Sequence, residues 1–375
     1  MIQIIEARTK KQMKEFAKFP IRLYENNPYY VPAFISDDVN MKNPKKNYAS
    51  EGCDVKCFLA IKDGKTVGRV AGIIVHESNK KFQTKCVRFS RIDFIEDIEF
   101  CKALLSAVED YGKEMGMDTI HGPWGFNDTD REGMLVDGFD TLSTYATNYS
   151  YPYYSEFLIK LGYKPESEWV EYRFNVPTLD PRYTKLADAV VQRRGFIDIS
   201  ETMSLKKLVR DYGDKFFDCY NDTYRDLDGY IDITGNAKKA VLEQFATIIN
   251  EKYYSIIVDP KTDRVIAFGI AIPSLAKVLQ KHKGSMLRSA LDLLRTIKNP
   301  DALELCIVGV HPDYRMSGAN AMVINKIWTN VVKAGITDIV GDPMLTTNYN
   351  VLQQWKTVPH DETKHRKTFT KRIDQ

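Results

Sequence analysis

Ala302-Leu303-Glu304-Leu305-Cys306-Ile307-Val308-Gly309-Val310 runs directly into His311-Pro312-Asp313-Tyr314-Arg315-Met316-Ser317-Gly318-Ala319-Asn320 and then into Ala321–Ala334. The first piece, apolar apart from Glu304, reads as a strand. Pro, Asp, Ser and Gly in the second mark a turn. Ile324, Ile327, Trp328 and Val331 then recur at helical spacing, and Gly335 stands where a left-handed cap ends a helix. A second strand, Ile336–Val340, follows. A loop entering a helix aims unpaired backbone N–H groups at one spot, and the helix dipole adds positive potential there. Strand, turn and helix together make a cradle for a pyrophosphate.

Val310–Ala319 resembles the acyl-CoA-binding segment of the GCN5-related N-acetyltransferases (GNAT). In that family an apolar strand leads to a Pro two or three residues before an Arg or Gln, then two residues, Gly, any residue, and Gly or Ala. Arg315 and Gly318 match; Asn320 takes the final small position, and Ala321 is one place late. The resemblance implies acetyl-CoA as acyl-donor cosubstrate and no metal. It implies direct transfer, in a ternary complex, to a primary amine of a small molecule or peptide. The pyrophosphate would lie on Arg315, Met316, Ser317, Gly318, Ala319, Asn320 and Ala321, and a backbone N–H near Val308–Val310 would polarise the thioester carbonyl. Glu304, eleven positions before Arg315, resembles the general base of histone-type members. Asn348 resembles the Asn that precedes the family's general-acid Tyr by seven residues, but position 355 holds a Trp.

A second copy of the unit is written in the first half. Gly116-Met117-Asp118-Thr119-Ile120-His121-Gly122 and Gly335-Ile336-Thr337-Asp338-Ile339-Val340-Gly341 carry Gly, Ile and Gly at the same spacing, each after a long helical pattern. The expected fold class is α/β. Two tandem GNAT-like domains, 1–177 and 178–375, would each hold a mixed, mostly antiparallel twisted sheet flanked by helices, with the boundary at Pro177–Pro181. The first half has Phe89–Asp97 where a cradle should stand. No Gly occurs there, and Asp93, Glu96 and Asp97 would repel a pyrophosphate, so the acyl-CoA site is expected in the second half only.

Composition narrows the classes. The chain has 375 residues, 43% hydrophobic and 27% charged, which is ordinary for a folded two-domain protein. A net charge of +3 gives no support for a nucleic-acid surface. Cys53, Cys57, Cys86, Cys101, Cys219 and Cys306 form no CxxC pair and read as free thiols in a reducing cytoplasm. No signal peptide and no run of about 20 apolar residues appears, so neither export nor a membrane partner is expected. The histidines, including His360 and His365, show no metal or triad spacing. Ser274–Thr296 reads as an amphipathic insertion with a basic face of Lys277, Lys281, Lys283, Arg288 and Arg295. Trp124–Arg131, with Tyr149, Tyr151, Tyr153 and Tyr154, either binds the acceptor or buries the seam between halves.

Two other classes remain beside the acyltransferase. A binding protein that keeps the fold without chemistry suits Trp355 and Asn320. A peptidoglycan-type (FemABX) aminoacyltransferase suits a tandem fold, but the near-neutral charge and missing helical arm speak against it.

Overall fold

Fourteen strands join in one twisted sheet. The structure is a computed structural model that describes residues 1–373 apart from 176, 177, 179, 228 and 357, with only the backbone of 243 and 244. The expected boundary at Pro177–Pro181 thus falls partly outside the described residues. The strands are β1 Gln3–Glu6, β2 Cys53–Lys62, β3 Lys65–Val75, β4 Cys86–Phe94, β5 Thr119–Gly122, β6 Met134–Asp137 and β7 Lys164–Phe174 in the first half. The second half adds β8 Ile197–Asp198, β9 Tyr254–Asp259, β10 Arg264–Pro273, β11 Ala302–Val310, β12 Asp338–Gly341, β13 Met344–Leu345 and β14 His360–Arg372. They run in the order β1-β2-β3-β4-β5-β14-β7-β12-β11-β10-β9-β8, with β6 on β14 and β13 on β7.

That order shows an exchange between the halves. β14, last in the chain, lies between β5 and β7 of the first half, while β7 lies beside β12 of the second. At the exchange Arg366 Nε donates to Glu171 on the facing strand, and Lys364 Nζ lies 3.7 Å from the same carboxylate. All three side chains are almost fully buried, so each charge depends on the others for compensation.

Local chemistry explains the flanking elements. Thr9 and Gln12 form a reciprocal capping box at the start of the helix Lys10–Leu23. β3 and β10 are nearly continuous apolar runs because helices cover both faces of the sheet. Leu104, Leu105 and Val108 of the helix Ile98–Glu114 pack on the first half, while Val323, Ile327 and Val331 of the helix Ala319–Ala334 pack on the second. The expected Ser274–Thr296 insertion is two helices, Ala276–His282 and Met286–Lys298, broken where Lys283 and Gly284 both take positive φ. Gly284 is required there: a Cβ would lie 2.2 Å from the Ala33 carbonyl, and Ile35 N–H donates to Gly284 at 3.0 Å. The insertion is thereby pinned to the first half.

Candidate active site at the parting of two parallel strands

β11 and β12 are parallel and pair from Ala302 with Asp338 to Leu305 with Gly341. There they part. The irregularity that separates them is a bulge in β11: Ala271 of β10 faces Leu305, Ile270 faces Ile307, and Cys306 is left between. The alternation expected to keep Glu304, Cys306 and Val308 on one face is broken at that residue. Leu305, Cys306, Ile307 and Val308 all line a cavity of about 1300 Å³, whose other walls include Phe126–Glu132 of the first half and Tyr220 and Tyr224 of the second.

The corresponding opening in the first half is shut. β4 and β5 pair from Cys86 to Arg88, and Trp124 N–H then donates to the Phe89 carbonyl at 2.9 Å. Arg69, held at 2.6 Å by Asp38 and 2.7 Å by Asp93, and Arg91, held by Asp130, fill the space beyond with paired charge. Asp97 caps the helix Ile98–Glu114, its Oδ1 accepting from Glu99 N–H at 3.0 Å. A helix N-terminus already occupied by a carboxylate has no place for a phosphate.

Three carboxylates gather where β11 and β12 part. Asp342, next after β12, lines the cavity and sits against the Cys306 thiol. Glu304 is 1% exposed and accepts from Ser274 Oγ at 2.7 Å and from the Tyr145 backbone. Among the described residues, Oδ1 of Asp342, Oε2 of Glu304 and Oε2 of Glu171 are buried without a hydrogen-bond partner. Burial, and then the mutual repulsion of the cluster, pushes Glu304 up to about 7 and Asp342 well above the usual carboxylate range. A second pair stands on the loop from the first half. Burial lifts Asp128, which accepts from Tyr220 OH at 3.1 Å, to about 6, and burial together with Asp128 lifts Glu132 well above its ordinary value. The cavity therefore carries carboxylates of raised pKa from both halves of the chain.

The turn after β11 is held from both sides. His311 Nε2 meets Arg264 at 2.6 Å and Asp222 at 3.1 Å, while Tyr314 OH donates to Asp259 at 3.0 Å. Gly318 is the N-cap of the helix Ala319–Ala334 with φ +88° and no side-chain cap. Ser317, Ala319 and Ala321 donate their N–H groups within the turn. Among the described residues, the donors left at the helix entrance are those of Met316, Gly318 and Asn320.

The expected site residues divide into two groups. Val308 and Asn348 line the cavity; Tyr224 OH donates to the Val308 carbonyl at 2.9 Å, and Asn348 caps the helix Tyr349–Trp355. Glu304 lies behind the cavity wall, one layer from Asp342. Val310, Arg315, Met316, Ser317, Gly318, Ala319, Asn320 and Ala321 stand outside the cavity at the far end of β11. Two details concern the turn itself. The space left by Gly318 is filled by Val190, 2.4 Å from where a Cβ would be, so the missing side chain lets the helix Pro181–Arg194 pack against the turn. Asn320 Oδ1 is buried without a partner. Trp355 packs on Phe174 and Trp328. Tyr149, Tyr151, Tyr153 and Tyr154 cluster with Tyr24 and Phe94 inside the first half, away from the cavity. Sequence reasoning missed Asp342, Glu171, Tyr220 and Tyr224.

No family model matches the chain. Among curated proteins it is 23% identical over 332 residues to Protein YghO of Escherichia coli (strain K12), covering 82% of this chain and 78% of that protein. It is 22% identical over 299 residues to Bacterial ceramide synthase of Caulobacter vibrioides (strain NA1000 / CB15N), covering 76% and 73%. Among solved structures, a tandem GNAT protein from the clavulanic acid biosynthesis pathway matches 100% of this chain and 99% of its own, with a TM-score of 0.59 at 10% identity. A GCN5-related N-acetyltransferase from Sphaerobacter thermophilus matches 100% and 96%, with a TM-score of 0.54 at 7% identity. At such identities the likeness concerns the fold. The fold is the tandem GNAT-like one that the sequence led us to expect.

Proposed function

From this tandem GNAT-like fold we propose that the protein is an acyl-CoA-dependent N-acyltransferase whose second half binds the acyl donor. The observation that carries the reading is the parting of β11 and β12 at Leu305 and Asp342, with a large cavity at one end and a helix entrance without a side-chain cap at the other. From Leu305 to Val310 an extended strand covers about 17 Å, room for a pantetheine arm between thioester and pyrophosphate. The pyrophosphate takes the N–H groups of Met316, Gly318 and Asn320, with Arg315 nearby. Val310, Ser317, Ala319 and Ala321 shape that end.

In this reading an acceptor amine enters the cavity, drawn as its ammonium form by the carboxylates. Asp342, backed by Glu304, takes the proton from nitrogen. The nitrogen lone pair attacks the thioester carbonyl, the C–N bond forms, and the C–S bond breaks. Tyr224, which burial keeps protonated, gives its proton to the departing sulfur in place of the acid that Trp355 cannot be, and regains one from the second proton that nitrogen sheds as the amide forms. Positioning both substrates contributes much of the rate. Acetyl-CoA is the simplest donor, but a cavity above the ~300–1,000 Å³ of ordinary ligand pockets favours longer chains on donor or acceptor. The ceramide synthase relative points the same way, since a ceramide is the amide of a fatty acid with a long-chain amino alcohol.

A second reading, a fold kept for binding alone, draws on Trp355 and on the Val190 contact at Gly318. The two separate by experiment. Calorimetric titration with acetyl-CoA and palmitoyl-CoA, followed by a thiol-release assay with long-chain amines and amino alcohols, should give micromolar binding and turnover. Absence of binding to every CoA species would sink the transferase, whereas tight binding with no thiol release from any amine would favour the binding protein.

A further inference from the structure

The helix Met286–Lys298 presents an apolar arc wider than its packing needs. Ser289 and Leu293 are buried against the protein. Next around the helix, Met286, Ala290 and Ile297 face the cavity. Beyond them Leu287, Leu291 and Leu294 are 89%, 70% and 66% exposed, at the i, i+4, i+7 spacing of one stripe. Leu294 is both exposed and part of the cavity lining. The stripe is thus the outward continuation of the cavity wall, with no break between inside and outside.

Charge says what covers it. Residues 274–298 carry six Lys and Arg against the single Asp292; Lys277 is paired with Asp301 at 2.8 Å and Lys283 with Glu25 at 2.9 Å, which leaves Arg288, Arg295 and Lys298 as the cations of the stripe itself. Asp292 is itself held by Lys281 at 2.7 Å and His282 at 2.8 Å. Arg288 and Arg295 border the leucines on the side away from the cavity, and Lys298 ends the helix. Lys45 and Lys46, exposed on the facing loop, line the same cavity. Leucines rimmed by arginine and lysine fit the boundary between acyl chains and anionic headgroups. No helix among the described residues is long and apolar enough to cross a membrane, but a helix lying in the interface needs no such length.

We propose that the helix Met286–Lys298 docks the protein on an anionic lipid surface and opens the cavity directly onto it, so that a long-chain substrate passes from bilayer to site without crossing water. What enters the cavity rests on the acyltransferase reading; the docking itself does not. The test is co-sedimentation of the full chain with vesicles of phosphatidylcholine alone or with one third phosphatidylglycerol. Wild type should bind the anionic vesicles and release them in high salt. Leu287→Glu with Leu291→Glu should lower partition by about tenfold or more, and Arg288→Glu with Arg295→Glu should remove the anionic preference. All four positions are exposed, so the variants should keep the wild-type circular dichroism and affinity for CoA. Equal binding by wild type and the leucine variant would overturn the proposal. So would a concentration-dependent dimer that the leucine variant abolishes while vesicles go unbound, because a second copy would then cover the stripe. Failure of CoA to bind, with vesicle binding intact, would sink the transferase and leave the docking surface standing.

Discussion

Asp342 N–H donates to the Leu305 carbonyl at 3.0 Å, the last bond across the parallel strands before they part. This bond holds the Asp342 carboxylate at the apex of the opening, where the next three residues of β11, Cys306 to Val308, line the cavity. A base fixed by its own backbone loses little entropy when substrate arrives. Asp342→Asn keeps the backbone bond and the volume while removing proton uptake. We expect kcat to fall by about 10²–10³-fold with acyl-CoA affinity unchanged, measured by thiol release and calorimetry. A wild-type kcat in Asp342→Asn would exclude it as the base. Tyr224→Phe should lower kcat by about tenfold without moving the acid limb of the pH profile.

The carboxylate cluster sets where that limb lies. Glu304 and Asp342 are both raised by burial first; Glu171 then adds to Glu304, and Glu304 with Glu171 to Asp342. The rate should therefore fall on acidification at a pH well above the ordinary carboxylate range. Glu304→Gln removes one negative neighbour, so the Asp342 pKa drops and the limb moves to lower pH. The same shift has a stability sign. A carboxyl whose folded pKa of about 7 exceeds its ordinary value of 4.5 holds its proton longer in the native state, so stability declines as pH rises from 4.5 to 7 and levels off above. Glu304→Gln should remove its share of that decline, on the order of 1–3 kcal/mol, and leave the share of Asp342, Asp128 and Glu132, as read by urea melts at pH 5 and 8.

Local patterns were legible in the sequence and long-range ones were not. The turn at Arg315–Gly318 and the helix after it rest on residues close in the chain, and they stand close to where the pattern put them. In the first half, Asp97, read from the sequence as a carboxylate at the place of a cradle, caps its own helix. Asp342 was hidden because Gly341-Asp342-Pro343 reads as an ordinary turn. One signal was there: after the matching glycines Gly122 and Gly341, one half has Pro123 and the other Asp342. The bulge at Cys306 and the exchange of β7 and β14 depend on pairings between distant segments, such as Arg366 facing Trp169, for which no neighbouring residue gives notice.

That exchange makes the two halves one folding unit. β14 is bonded to β5, β6 and β7 of the first half although it is made last. Truncation before His360 should therefore melt the first half as well, seen as loss of near-ultraviolet circular dichroism from Trp124 and Trp169. A first half that stays native would contradict this. Glu171→Gln leaves Arg366 and Lys364 buried without their counter-charge and should cost about 3–5 kcal/mol, with one cooperative transition in urea.

Gly318 and Val190 give the last test, because they separate packing from ligand binding at the turn. Gly318 takes φ +88°, and a Cβ there would lie 2.4 Å from Val190 Cγ2. Gly318→Ala pays twice, for a left-handed backbone and for the clash, together about 1–3 kcal/mol. Val190→Ala removes the clash and leaves the backbone strain. In a double-mutant cycle by urea melts the pair should couple, with the double variant more stable than the sum of the singles by about 0.5–1 kcal/mol. CoA titration of the double variant then asks a separate question. If the Gly318 N–H is a phosphate donor, binding survives once the helix Pro181–Arg194 packs normally again, since Ala keeps the N–H. Loss of CoA binding in a variant whose fold has been restored would mean that the turn receives phosphate through the glycine's bare Cα, against the packing seen at Val190.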